Sequence, residues 1–190
     1  MRLKDEDKIV RIYQAAVKLI NIEGFQGTSV SKIAREANLA PATLYLYFEN
    51  KEDMLNKLYL HLKQTKSLAY IPTETHLEPT KETFHAIWKR HCQFIKDYPQ
   101  EFKFLENFTN CPLIEKINQK EGIRTHQPLF ELFEAGRQQN ILRNLSDQLI
   151  YTLFFAPVTH AIKQALNRKE EPDVLTLNEI FEAAWRSVAV

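Results

Sequence analysis

Glycine is scarce in this chain, with four residues in 190. Folds rich in tight turns and phosphate-cradling loops need more, and no G-x-G-x-x-G, P-loop or G-x-S-x-G is present. Cysteine is rarer still. Cys92 and Cys111 are too few and too far apart for a disulfide framework, and the charged N-terminus MRLKDEDK does not resemble a secretory signal. No window reaches the roughly 18 apolar residues of a membrane span. A cytoplasmic protein with reduced thiols and no membrane partner is therefore expected. Net charge is also missing: Lys+Arg 25 against Asp+Glu 24 leaves +1, so bulk charge gives no argument for nucleic acid. What remains, 44% hydrophobic and 26% charged, is the composition of a globular protein able to bury a core, and the fold class expected is all-α.

What the chain does have is helical spacing. Ile9, Ile12, Tyr13, Ala16, Val17 and Ile20 form one face, and Gly24 follows where a helix should stop. Thr28-Ser29 offers a hydroxyl N-cap ahead of Val30, Ile33, Ala34 and Ala37. Asn38-Leu39-Ala40-Pro41 interrupts, and a second short helix is predicted from Pro41 to Phe48. Asn50 caps a longer helix carrying Met54, Leu55, Leu58, Tyr59 and Leu62. The stretch Pro72 to Pro79 lacks apolar periodicity and is the linker candidate, which divides the chain into residues 1–50, a connecting helix and linker at 51–78, and a bundle at 79–190.

Within that bundle, Phe84, Ile87, Trp88, His91, Phe94, Ile95 and Tyr98 make one face until Pro99. A shorter aromatic helix is predicted from Gln100 to Asn110, with a further turn or two at Ile114 to Gln119. A helix from Gly122 to Gln139 should kink or split at Pro128, and one from Leu149 to Leu166, capped by Ser146 or Asp147, should be interrupted at Pro157. Leu177, Ile180, Phe181, Ala184, Trp185 and Val188 make the last helix. No repeat or alternating strand pattern is present.

A helix, a short helix, a brief turn and a second short helix, all ahead of a longer helix, is the order of a helix-turn-helix module, whose second short helix enters the major groove. Ile33, Ala34, Leu39, Leu44 and Phe48 fall where the short helices would pack on each other and on the first. Thr43, Tyr45, Leu46 and Tyr47 are too polar and aromatic for all of them to be buried, and hydroxyls suit phosphate or base-edge hydrogen bonds. Lys51 adds charge beside the free N–H groups of a helix start. The run Gly24-Phe25, Thr28-Ser29-Val30, Ile33-Ala34, Asn38-Leu39, Thr43-Leu44-Tyr45-Leu46-Tyr47-Phe48 and Lys51-Glu52 closely resembles the N-terminal DNA-binding domain of the TetR family of transcriptional regulators, over about residues 8–60. That resemblance implies phosphate contacts from Tyr45, Tyr47 and Lys51 and base contacts near Ala42, Thr43 and Leu46, with Ser29, Ser31 and Lys32 as further DNA-binding candidates. The alternative for Tyr45 and Tyr47 is that they only pack the module.

The chain departs from the family pattern in two places. Asn38 stands where glycine is usual and is the next most tolerant residue for positive φ. Ala40 replaces the usual hydroxyl cap of the recognition helix, a loss of about 1 kcal/mol that Pro41 partly offsets. Leu46 favours contact with a thymine methyl over bidentate hydrogen bonding. Residues 1–62 hold nine basic side chains against eight acidic ones. Binding should then depend on placement: Lys32, Arg35 and Lys51 near the groove, Arg2 and Lys4 as a possible flexible arm, and Glu23 facing away. A modest salt dependence follows.

Aromatic residues crowd the C-terminal part. A large core accounts for them; the other reading is an apolar pocket between helices, with Trp88, His91, Phe104, Phe108, Phe130, Phe133, Tyr151 and Phe155 as ligand-binding candidates and His91, Tyr151 or Gln164 orienting a small-molecule effector. The resemblance implies that the last two helices pair with their copies in a homodimer, with Leu153, Val158, Ile162, Leu177, Phe181 and Trp185 as interface candidates, although Phe181 and Trp185 fit an intrachain core equally well. One short recognition helix reads few bases, whereas two related by a two-fold axis read a near-palindromic double-stranded operator.

The function expected is a ligand-responsive transcriptional regulator, most often a repressor in this family, released from DNA by an apolar or aromatic effector. Two alternatives stand beside it: a bundle that docks a protein partner, and a helical metal-dependent enzyme. The E-x-x-H spacing at Glu82 and His85 has no second copy, and His85, His91 and Cys92 leave no fourth ligand, so no metal, cofactor or catalytic residue is expected.

Overall fold

A computed structural model of the chain describes residues 2–71, 77–109 and 118–190. Among these the regular elements are helices: α1 Arg2–Gly27, α2 Val30–Glu36, α3 Pro41–Leu44, α4 Lys51–Tyr70, α5 Lys81–Asp97, α6 Pro99–Thr109, α7 Asn118–Gln138, α8 Asp147–Arg168 and α9 Val174–Val188. Linker residues 72–76, Cys111 and the turn predicted at 114–117 lie outside the described residues. The chain forms two compact units, one of Met1–Gln64 with Tyr98–Gly122 and one of Thr65–Asp97 with Ile123–Val190.

In the first unit, α1 buries Ile12, Ala16, Val17 and Ile20, the face its 3.6-residue period predicts. Gly24 then takes φ 73 and ψ 176, a conformation that only glycine adopts without strain, and redirects the chain for the last residues to Gly27. Thr28 is buried, and its hydroxyl donates to the Gly24 carbonyl at 2.9 Å. Ser29, in extended conformation, accepts from the Lys32 N–H and starts α2. At the other end Asn38 sits at φ 57. Its N–H donates to the Arg35 carbonyl and that of Leu39 to the Ala34 carbonyl, the paired bonds of a Schellman motif that satisfy the last helical carbonyls.

The turn between the short helices thus rests on a residue tolerant of the left-handed region. Ile33, Ala34, Leu44, Phe48, Met54, Leu55 and Leu58 fill the core with the α1 residues. α6 packs on α1, where Phe108 stacks on Tyr59 at a centroid distance of 5.0 Å and meets Phe25 at a tilt at 4.8 Å. Residues 2–4 are helical in backbone, where the sequence suggests a flexible arm.

The recognition segment is shorter than predicted. α3 ends at Leu44, and residues 45–47 continue as turns, with Leu46 donating to the Thr43 carbonyl and Tyr47 to that of Leu44. Ala40 supplies no side-chain cap. A single uncapped turn is too short to propagate, and the i to i+3 bonds tighten it until Phe48 is anchored in the core.

In the second unit α5 buries Phe84, Ile87, Trp88, His91, Cys92, Phe94 and Ile95. α8 packs against α5 and α9 through Phe154, Phe155, Val158 and Ile162. The predicted kinks at Pro128 and Pro157 do not divide α7 and α8, which each run as one helix. Both prolines are exposed, so the carbonyl each leaves without a partner can bond to water. Three ties hold the elements in register. Arg137 donates to Asp147 at 2.8 Å, Lys81 pairs with Glu182 at 2.8 Å, and Arg143 bonds the Ala189 carbonyl at 2.7 Å.

Candidate nucleic-acid interface

The candidate side chains of α2, the turn and α3 differ in exposure. Tyr45 is 58% exposed and Leu46 is 78% exposed, although both are large and one is aliphatic. Ala42, Ser29 and Ser31 are exposed, while Thr43 and Tyr47 are half-buried. The short helices point these residues outward because Leu44 and Phe48, alternating with them, are held in the core. An exposed leucine flanked by hydroxyls offers an apolar contact and hydrogen bonds side by side, which is what a base edge and its neighbouring phosphates require.

The candidate cations are placed but not idle. Lys32 Nζ donates to Glu23 Oε2 at 2.6 Å and to the Gly27 carbonyl at 3.0 Å. Glu23 therefore turns toward this face; the expectation that it faces away fails because Gly24 redirects the chain just after it and leaves its carboxylate within reach of α2. Ser29 spends its oxygen on the α2 cap, accepting from the Lys32 N–H at 3.2 Å. Lys51, at the first position of α4, donates to the Phe25 carbonyl.

Asn50 caps the same helix through the Asp53 N–H at 2.8 Å, while Asp53 returns to the Glu49 N–H at 3.0 Å, a reciprocal cap that fixes the start of α4. Lys57 bonds Asp53 at 2.8 Å and, as the leading cause, holds its carboxyl below the usual carboxylate range. Asp5 and Lys8, which the sequence pattern does not single out, reach Tyr47 from α1: the Tyr47 hydroxyl donates to Asp5 Oδ1 at 2.7 Å. No local periodicity connects residues 42 apart, so this contact has no signal in the sequence.

The candidate ligand residues divide between the units. Phe104 and Phe108 belong to the core of the first, stacked on each other at 5.0 Å. Trp88, His91, Phe130, Phe133, Tyr151 and Phe155 belong to the second, where a mixed polar and aromatic cluster forms. His91, almost wholly buried, lies with Nε2 3.0 Å from Thr159 Oγ1 and meets Phe155 and Tyr70 edge-on at 4.9 and 5.4 Å. Burial, reinforced by Lys66 and His126, pushes its imidazole well below the usual histidine range. Burial and then Tyr151 raise the Tyr70 hydroxyl well above the usual tyrosine range, so it stays a protonated donor. His126 meets Tyr151 edge-on at 5.5 Å and stacks on Phe130 at 6.1 Å. Gln164 is exposed and bonds His160 at 2.8 Å. The sequence pattern missed Tyr70, His126 and Thr159; the signal available for Tyr70 was the continuation of the α4 apolar stripe beyond Leu62.

Of the candidate interface residues, Val158, Ile162, Leu177 and Phe181 are buried within the protomer, whereas Leu153 and Trp185 are half-buried. Cys92 is buried and its thiol pushed up to about 12, that of an inert core residue. Among the described residues no group of three or more His, Cys, Asp or Glu side chains could hold a metal ion, and no helix is long and apolar enough to cross a membrane.

Comparison with known proteins agrees with this geometry. Residues 12–58 match the family model for bacterial regulatory proteins, tetR family, and residues 79–189 match the tetracyclin repressor-like C-terminal domain. An HTH-type transcriptional regulator of Staphylococcus aureus is 31% identical, over 70% of this chain and 68% of its own. A TetR family transcription regulator from Marinobacter aquaeolei VT8 superposes with a TM-score of 0.91 at 26% identity, covering 100% of this chain and 99% of that one. The transcriptional regulator FadR from Bacillus subtilis, solved in complex with stearoyl-CoA, superposes with a TM-score of 0.70 at 25% identity, covering 92% and 96%.

Proposed function

Because the chain belongs to the TetR family of DNA-binding transcription regulators, we propose that it is a repressor. In this proposal it binds a pseudo-palindromic operator as a homodimer and leaves it when a small apolar effector binds the second unit. The observation that carries the DNA part is the outward presentation of Tyr45 and Leu46 on a segment whose alternate residues are core. In this account Ala42, Thr43 and Leu46 meet base edges. Tyr45, Tyr47 and Lys51 take phosphates, with Ser29, Ser31 and Lys32 flanking them. The internal engagement of Lys32 with Glu23, and of Lys57 with Asp53, limits the number of phosphates neutralised and supports a modest salt dependence.

The effector meets the aromatic cluster of α5, α7 and α8, where His91 and Tyr70 supply neutral hydrogen-bonding groups, and Tyr151 a hydroxyl, in an apolar wall. The stearoyl-CoA held by the Bacillus subtilis FadR supports an effector with a long apolar chain. The second copy packs on the outward faces of α8 and α9, where Leu153 and Trp185 are still half-exposed. Val158, Ile162, Leu177 and Phe181 back that face from beneath. Release is a population shift: an effector with higher affinity for a form whose recognition segments are misplaced for successive major grooves draws the dimer off DNA.

Gel-shift titration tests the proposal on a duplex from the region upstream of the protein's own gene, using wild type, Tyr45→Phe and Lys51→Ala, with and without stearoyl-CoA. Both substitutions are expected to weaken binding, and Lys51→Ala should lower the salt slope by about 1 for each bound protomer. Unchanged affinity in both variants would remove the assigned contacts, and an unchanged shift with stearoyl-CoA would remove that effector class.

A further inference from the structure

The Tyr47 hydroxyl has two claims on it. It donates to Asp5 Oδ1 at 2.7 Å, while Lys8 Nζ lies 3.4 Å from the same carboxylate oxygen and 3.5 Å from the Tyr47 hydroxyl. A phenol has one proton to donate. While that proton goes to Asp5, none is left for a DNA phosphate. The Lys8 ammonium has three protons, but its charge is offset by the carboxylate beside it.

The bond is charge-assisted, and the Tyr47 hydroxyl is the leading cause that holds the Asp5 carboxyl below its usual range and raises Lys8. Both groups are thus fully charged near neutral pH. Asp5 is also accessible, with 43% of its side chain exposed, so it occupies the surface from which a phosphate would reach Tyr47. Lys51 differs, because its partner is the neutral Phe25 carbonyl and repels no phosphate.

Resting on the assignment of Tyr47 as a phosphate contact, we propose that Asp5 is an internal surrogate for a DNA phosphate. In the free protein its carboxylate engages the donors of Tyr47 and Lys8, and the operator backbone must displace it. Asp5 therefore sets affinity below what the α2 to α4 contacts would otherwise give. With this pairing Lys8 should add little to the salt dependence, because a cation already paired with an acid releases no net counterion on meeting a phosphate.

The test compares wild type, Asp5→Asn, Asp5→Ala, Tyr47→Phe and Asp5→Asn/Tyr47→Phe on the duplex that wild type enriches from a randomised pool. Affinity is read by fluorescence anisotropy across a salt series. Removing one unit charge about 4 Å from a phosphate should tighten binding about fivefold for each bound protomer. The slope of log affinity on log salt should steepen by about 0.9 for each bound protomer, as Lys8 becomes free to neutralise a phosphate. Asp5→Ala should match Asp5→Asn, and the gain should shrink in the Tyr47→Phe background.

Asp5 variants that bind no tighter, with an unchanged slope, would overturn the role of Asp5 even where Tyr47→Phe weakens binding. If Tyr47→Phe itself binds as tightly as wild type, the phosphate assignment falls and the surrogate with it. Thermal midpoints of all the variants establish that each is folded when it is compared.

Discussion

His91 Nε2 on α5 lies 3.0 Å from Thr159 Oγ1 on α8, inside the core of the second unit. Burial is the main reason its imidazole titrates well below the unfolded value near 6.5. Below about pH 6.5 the unfolded chain binds a proton that the folded chain refuses, so the stability this group contributes is complete above that pH and is lost as pH falls. The urea midpoint of wild type should therefore drop between pH 7.5 and pH 5.5. His91→Gln, which keeps a partner for Thr159, should drop less. His85, also lowered by burial, retains its own share in the variant. A variant as steep as wild type would contradict the assignment.

Asn38 at φ 57 closes α2 and opens the turn to α3. Asparagine and alanine both carry a Cβ, but alanine lacks the polar side chain that eases the left-handed conformation and so bears more of its cost of about 1–2 kcal/mol. Asn38→Ala is expected to lower the unfolding free energy by up to about that amount and Asn38→Gly by much less. Equal losses in denaturant titration would show that the turn does not depend on the left-handed residue.

Leu46, 78% exposed on the recognition segment, is expected to touch a thymine methyl group. Replacing the contacted thymine with deoxyuridine in a selected duplex should weaken wild-type binding severalfold and leave Leu46→Ala nearly unaffected. Wild type and variant responding alike at every thymine would remove the contact.

The helices, the capped start of α2 and the core face of α1 were legible in the sequence, because periodicity and capping are local. Ser29, Asn38 and Pro41 perform the roles their chemistry suggests. The length of α3 was less legible: nothing between Ala40 and Phe48 announces that the helix ends after one turn, and the turn residues are fixed by the burial of Phe48.

Aromatic density also carries no address. Phe104 and Phe108 read as pocket candidates beside Trp88 and Phe133, yet they pack on Phe25 and Tyr59 in the first unit. The helical stripes of α8 and α9 show which residues are apolar but not whether their partner is the same chain. Val158, Ile162 and Phe181 are covered by their own protomer. Pairings between distant residues, such as Glu23 with Lys32 and Asp5 with Tyr47, depend on the fold and appear only once it is assembled.

In the proposed complex two copies of the α3 face read one operator. Hydroxyl-radical footprinting of wild type on a selected duplex measures this directly. Two protected segments are expected on one side of the DNA, centred about 10 base pairs, or about 34 Å, or a multiple of that spacing apart, with protection at both lost together in Tyr45→Phe. A single protected segment, or uniform protection along the duplex, would contradict it.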